Sequence, residues 1–142
     1  MIKKIILIFL ILIKMSYSSN FNFSVAPTKI EIDLKKDTVE EIYLINNTDE
    51  ELKLLAYFET PLEYENAKLE KYIEVFPKLV VIPPRGEKIV KIAYKFSKDI
   101  NLEKEYKSYI IFKELPNKIN KEEKNKITIY NEIGIGIIGK NI

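Results

Sequence analysis

The 142-residue sequence predicts an all-β fold, an immunoglobulin-like two-sheet β-sandwich of seven to eight strands forming a single domain. Three observations predict it. Short apolar runs recur every 10 to 15 residues with turn residues between them. No 11-residue window keeps apolar residues at i, i+3, i+4 and i+7, so no helix is expected. Residues 20–142 are enough for one domain with a single core.

Each element follows from local pattern. Phe21, Phe23 and Val25 alternate, Pro27 breaks the run, and Ile30, Ile32 and Leu34 resume it. A strand interrupted by proline and then continued suits an edge strand that passes from one sheet to the other. Lys35-Lys36-Asp37 makes a turn, and Val39–Ile45 is the next strand. Asn46-Asn47-Thr48-Asp49 is a turn by side-chain chemistry, because Asn and Asp bond their own backbone. Leu52–Phe58 is a strand, and the polar stretch 59–71 is a loop or a weak edge strand. Ile73–Phe76 and Leu79–Ile82 are short strands around Pro77. Pro83-Pro84-Arg85-Gly86-Glu87 is a tight turn, with Gly86 expected to supply the positive φ and Arg85 a plain turn residue. In Lys88–Phe96, Val90, Ile92 and Tyr94 face one way and Lys91 and Lys95 the other. Tyr106–Phe112 and Ile127–Ile138 complete the set, and the tyrosines are expected as core and cross-strand pairs.

The N-terminus reads differently. Met1-Ile2-Lys3-Lys4 is basic, Ile5–Ile13 is apolar, and Ser16-Tyr17-Ser18-Ser19 is small. This is the layout of a secretory signal peptide over residues 1–19, removed on export to the periplasm. The nine-residue apolar run is far short of the roughly 20 needed to span a bilayer, so no stable membrane span is expected after cleavage. Losing Lys3, Lys4 and Lys14 takes the formal charge from +2 to −1. Lys and Glu then alternate along solvated strand faces, which gives no nucleic-acid footprint.

Composition excludes most chemistry. With no cysteine there is no disulfide, and with no histidine the usual metal ligand and general base are missing. The pair Glu122-Glu123 sits in a Lys/Asn/Glu-rich loop and reads as solvated. No catalytic residue, metal or cofactor is expected, and the protein is read as no enzyme. Gly134-Ile135-Gly136-Ile137-Ile138-Gly139 spells G-x-G-x-x-G, the dinucleotide fingerprint. That loop needs a following helix to hold a pyrophosphate, and only Lys140, Asn141 and Ile142 follow. The segment reads instead as a strand, with Ile133, Ile135 and Ile137 on one face, so no nucleotide is expected.

Several stretches together resemble the periplasmic pilus-assembly chaperones of the chaperone–usher pathway. Phe23-Ser24-Val25-Ala26-Pro27-Thr28-Lys29 is similar to their opening F-x-V-x-P-T-R/K strand, and Ile45-Asn46-Asn47-Thr48 to the turn after their second strand. Val75-Phe76-Pro77 with Val81–Glu87, and Glu105–Phe112 with Leu115-Pro116, match two further segments in order. The matches run from about residue 23 to 138 and cover the family's N-terminal domain, the first of its two. The resemblance implies binding of a pilin-like or other secreted subunit by strand addition. It implies that Ile133, Ile135 and Ile137 fill the subunit's pockets and that Lys29 anchors its terminal carboxylate. The family's second anchoring lysine falls at Glu132 in this register, or at Lys126 in a shifted one.

Plainer readings stand beside these. The three isoleucines also suit an ordinary core-facing strand, Lys29 a solvated charge that blunts an edge. Gly134 and Gly136 mark a close backbone approach or a loosened strand. A homodimer through the same strand, or a structural envelope or fimbrial surface component with this sandwich and no chaperone activity, are the alternatives to an exported binding module.

Overall fold

The computed structural model describes residue 2 and residues 21–117 and 129–142. The expected signal peptide, apart from Ile2, lies outside the described residues, as do Glu122, Glu123 and Lys126.

Nine strands are present among the described residues: β1 (Phe23–Ala26), β2 (Lys29–Asp33), β3 (Thr38–Asn46), β4 (Leu52–Glu59), β5 (Ile73–Phe76), β6 (Leu79–Ile82), β7 (Glu87–Tyr94), β8 (Tyr106–Leu115) and β9 (Glu132–Lys140). They form a four-stranded sheet in the order β1-β3-β7-β5 and a five-stranded sheet in the order β2-β9-β8-β4-β6. All pairings are antiparallel except β2 with β9. The all-β sandwich is as the periodicity predicts. The count rises to nine because the strand interrupted at Pro27 is two strands in two sheets: β1 pairs with β3, and β2 crosses to β9. Proline has no N–H for a ladder, so this is where the chain can leave one sheet for the other.

The two sheets share one apolar core. Alternation holds along β7, where Val90, Ile92 and Tyr94 are buried and Lys91 is exposed, and along β3, where Ile42 and Leu44 are buried. Period-two burial puts every second side chain between the sheets, and each fully buried Ile or Leu contributes about 1.5–3 kcal/mol relative to exposure. The stretch 59–71 is neither free loop nor strand: it carries two 3-10 turns, Leu62–Tyr64 and Leu69–Lys71. Leu69 is buried in the core, and the buried Ser108 hydroxyl accepts from the Glu70 N–H.

Two turn details differ from expectation. The residue with positive φ in the Pro83–Glu87 turn is Arg85 (φ 57°), not Gly86. Gly86 is needed for a different reason, since a Cβ there would stand 2.7 Å from Pro83 Cγ. Arg85 is held by its N–H donating to the Thr48 carbonyl and by its Nε donating to Asp49. Asn46 does more than turn the chain. Its buried amide donates to the carbonyls of Glu50, Ile82 and Pro83, and its Oδ1 accepts from the Thr48 N–H and hydroxyl. It therefore ties the end of β3 in one sheet to the end of β6 in the other.

Candidate functional site

The last strand decides what the expected site can be. β9 begins at Glu132, five residues later than the sequence predicts, and runs on to Lys140. Its partner β8 ends at Leu115, just before Pro116, and Lys113 stands opposite Glu132. The extension to Lys140 is paid by packing: a Cβ at Gly139 would lie 2.7 Å from Leu34 Cδ2 and 2.9 Å from Leu69 Cδ1, so only glycine lets these core leucines close over the strand.

Ile135 and Ile137 point into the core, 2% and 0% exposed. The core-facing alternative holds for these two, and with the sandwich closed their side chains are not available to another protein's pockets. Ile133 is half-buried against the core at the start of the strand. Lys29 is the first residue of β2, opposite Gly136, with its side chain 59% exposed. The position opposite Lys29 is therefore Gly136, not Glu132. Glu132 is four residues away at the other end, where it accepts a hydrogen bond from the Tyr57 hydroxyl at 3.1 Å.

Pairing on the two sides of β9 is unequal. β8 accompanies it from Glu132 to Gly139, but β2 covers only Gly136 to Lys140. Among the described residues no strand pairs with Glu132–Ile135 on the β2 side, because the preceding chain, β1, belongs to the other sheet. Below this open edge, Ile129 and Tyr130 are exposed. The edge is held by a polar network that sequence patterning did not reveal: the buried Glu114 carboxylate accepts from the Asn22 side-chain amide and the Asn131 N–H, while Asn131 Oδ1 accepts from the Asn22 N–H.

Charge gathers at the upper end. The Glu31 carboxylate lies 3.4 Å from Lys29 Nζ and 3.5 Å from Lys140 Nζ. Lys140 first, then Lys29, hold its carboxyl below the usual carboxylate range. On the β8 side, Lys107 Nζ sits over the rings of Tyr109 and Tyr64, 5.2 and 5.8 Å from their centroids. The three glycines of β9 differ in surroundings. A Cβ at Gly134 would come within 2.9 Å of Ile111 Cδ1, whereas one at Gly136 would make only ordinary contacts, 3.6 Å from Tyr109 Cε1 and 4.0 Å from Lys107 Cε.

Among the described residues no group of three acidic or metal-ligating side chains converges, and no helix is long and apolar enough to cross a membrane. A cavity of about 740 Å³ on the opposite flank is lined by Ala56, Phe58, Ile73, Val75 and Phe76 among others, an apolar recess beside β5.

Solved structures share this sandwich. The Escherichia coli chaperone DraB superposes with a TM-score of 0.63 at 14% identity, over 84% of this chain and 55% of that one. A Salmonella enterica complex of the SafA pilin with the SafB chaperone gives 0.66 at 12% identity, over 84% and 54%. The PapD-like domain 7 of human CEP192 gives 0.61 at 11% identity, over 85% of each chain. The chain thus spans about half the length of the bacterial chaperone structures. No curated protein sequence matches it. The family model described as the PapD N-terminal domain of pili and flagellar-assembly chaperones matches residues 22–138, all of the sandwich but the last two residues of β9, and the chain belongs to that family.

Proposed function

We propose that this protein is an exported, non-enzymatic assembly chaperone that binds a pilin-type subunit in the periplasm by strand addition along β9. The observation that carries the reading is the open edge at Glu132–Ile135, a row of backbone groups with no strand beside it on one side among the described residues. Such an edge is a template for a partner strand, in which main-chain bonds give affinity and alternate side chains give specificity. Ile133, half-buried at the start of β9, and the exposed Ile129 just before the strand are the apolar residues beside this edge for a client's pockets. Ile135 and Ile137 contribute by fixing β9 in register from the core side.

The direction of the added strand follows from charge. β2 occupies the edge from Gly136 onward, so an added strand must stop beside Lys29. A strand parallel to β9 would bring its terminal carboxylate to that lysine, and an antiparallel one would bring a repelled amine. The pilin named in the SafB complex supports a pilin-type client.

The test is complex formation between the protein purified from the periplasm and a pilin-type subunit, followed by gel filtration. Ile133→Lys is expected to weaken capture by about tenfold or more, for loss of a buried apolar contact, while thermal unfolding stays cooperative. A wild-type monomer that captures no subunit would overturn the reading in favour of a structural envelope component.

A further inference from the structure

We propose that the outer face of the four-stranded sheet joins two copies of this chain about a two-fold axis that runs parallel to the strands, between β3 and β7. This interface is separate from strand addition, because β9 lies in the other sheet.

An antiparallel sheet with one face on the core ordinarily turns polar side chains to water on the other. Here β3 turns Val39, Tyr43 and Ile45 outward, β7 turns Ile89 and β5 turns Phe76, and all five are exposed. They are neighbours rather than scattered residues. Tyr43 stands between Ala26 on β1 and Ile89 on β7, Ile45 is the next outward residue of β3, and Val39 stands opposite Ala93. Phe76, the most exposed of the five at 77%, lies opposite Lys91 on the far side of β7. Among the described residues no element packs over this face. A contiguous apolar patch left in water marks an interaction surface.

The charges on the face point to a second copy as its occupant. Glu41 on β3 is the register partner of Lys91 on β7, with Nζ and Oε1 4.0 Å apart. The Tyr43 hydroxyl donates to the same carboxylate at 3.1 Å and keeps it on the face. A two-fold axis along the strands, midway between β3 and β7, lays β3 of each copy over β7 of the other at the same level. Glu41 of each copy then meets Lys91 of the other, so the ion pair is made twice across the interface. Tyr43 meets Ile89 and Val39 meets Ala93, again twice each. Residues that pair side by side within one sheet thereby pair face to face between two, which is the self-complementarity a two-fold contact requires. Phe76 falls beyond the other copy's Glu41, at a level where β1 has ended at Ala26 and leaves β3 without a neighbour. At the rim Ile45 meets Glu87, which is exposed and keeps its carboxylate in water. An anionic membrane surface fits less well, since Glu41, Glu74 and Glu87 outnumber Lys91 on this face.

Aligned packing of two such sheets, about 10 Å apart, is the ordinary geometry of a sandwich. Strand spacing and rise make the face about 15 Å by 20 Å. That is well under the roughly 800 Å² a side of a stable complex, so the dimer is weak and forms with concentration. The five-stranded sheets lie on its two outer sides, and both β9 edges stay open to a client.

Sedimentation equilibrium of the protein purified from the periplasm measures the dimer. The wild type is expected to self-associate reversibly below about 1 mM. Glu41→Lys sets a lysine against Lys91 across the axis, and Lys91→Glu sets a glutamate against Glu41. Each variant alone is expected to dimerise about tenfold or more weakly. Cooperative thermal unfolding is expected to be unchanged, because both side chains are exposed. An equimolar mixture of the two variants separates the interface from the fold. One copy then brings two lysines and the other two glutamates, both contacts across the axis become attractive, and dimerisation is expected to return to the wild-type level. A wild type that stays monomeric to about 1 mM overturns the dimer. Single variants that dimerise like the wild type place the contact on another surface, such as β9, and overturn this one. A mixture that fails to recover overturns the two-fold arrangement. None of these outcomes bears on strand addition, which is read from capture of a subunit.

Discussion

At the scale of single residues, Asn46 shows how a turn signal can conceal a fastening. Sequence chemistry identifies Asn46 as a turn-former, and the turn is there. What patterning cannot reveal is that its amide reaches three carbonyls, two of them at the end of β6 some 36 residues away. Asn46→Ala would leave those buried groups, and the Thr48 N–H, without their partner. A loss of about 3 kcal/mol is expected in urea unfolding, well beyond that of an ordinary surface turn substitution. Arg85 carries a similar lesson. The turn was legible from its prolines and glycine, but the left-handed position fell to the arginine, while Gly86 is required by its contact with Pro83.

At the scale of the element, β9 combines what sequence reveals with what it hides. Its strand character was legible from the isoleucine alternation, and so was the failure of the glycine pattern as a nucleotide loop. The resemblance offered all three isoleucines as client-facing residues. A period of two says only that they share a face, not which face is covered, and Ile135 and Ile137 proved to be core. The open edge was not legible either, since it arises from where β2 begins to pair rather than from any residue of β9. The glycines make a sharp contrast in stability. Gly139→Ala forces a Cβ against Leu34 and Leu69 and is expected to cost about 1–3 kcal/mol. Gly136→Ala meets only ordinary contacts and is expected to be neutral or stabilising by up to about 1 kcal/mol. Thermal unfolding of the two variants side by side checks the difference, and equal losses would contradict it.

At the scale of the whole molecule, a sandwich without cysteine depends on its core and on a few bonds between sheets. One is the buried Tyr94 hydroxyl on β7, which donates to the Leu34 carbonyl beyond β2 at 2.8 Å. Burial pushes the Tyr94 phenol above its ordinary value of 10.0. The hydroxyls of Tyr43 and Tyr64 are raised as well, chiefly because each donates to a carboxylate. Above about pH 10 the unfolded chain releases these protons while the folded chain retains them, so the unfolded state binds fewer protons and stability falls as pH rises. The urea midpoint is therefore expected to decline from about pH 10 upward. Tyr94→Phe is expected to flatten that decline and to lower stability by about 1–3 kcal/mol at neutral pH, because the Leu34 carbonyl loses its donor. An unchanged alkaline slope in this variant would remove Tyr94 from the account.

The crossing at Pro27 also acts as a gauge. The N-terminal strand divides one length of chain between two sheets, giving β1 to the first and β2 to the second. The stretch of β9 that no described strand covers on that side is the remainder of that division. Moving the crossing two residues later would shorten β2 from its start and leave two more residues of β9 without β2 beside them. Moving it two residues earlier would shorten the opening by the same amount. The place of one proline near the N-terminus thus measures, from more than a hundred residues away in sequence, how much of β9 runs without β2 beside it.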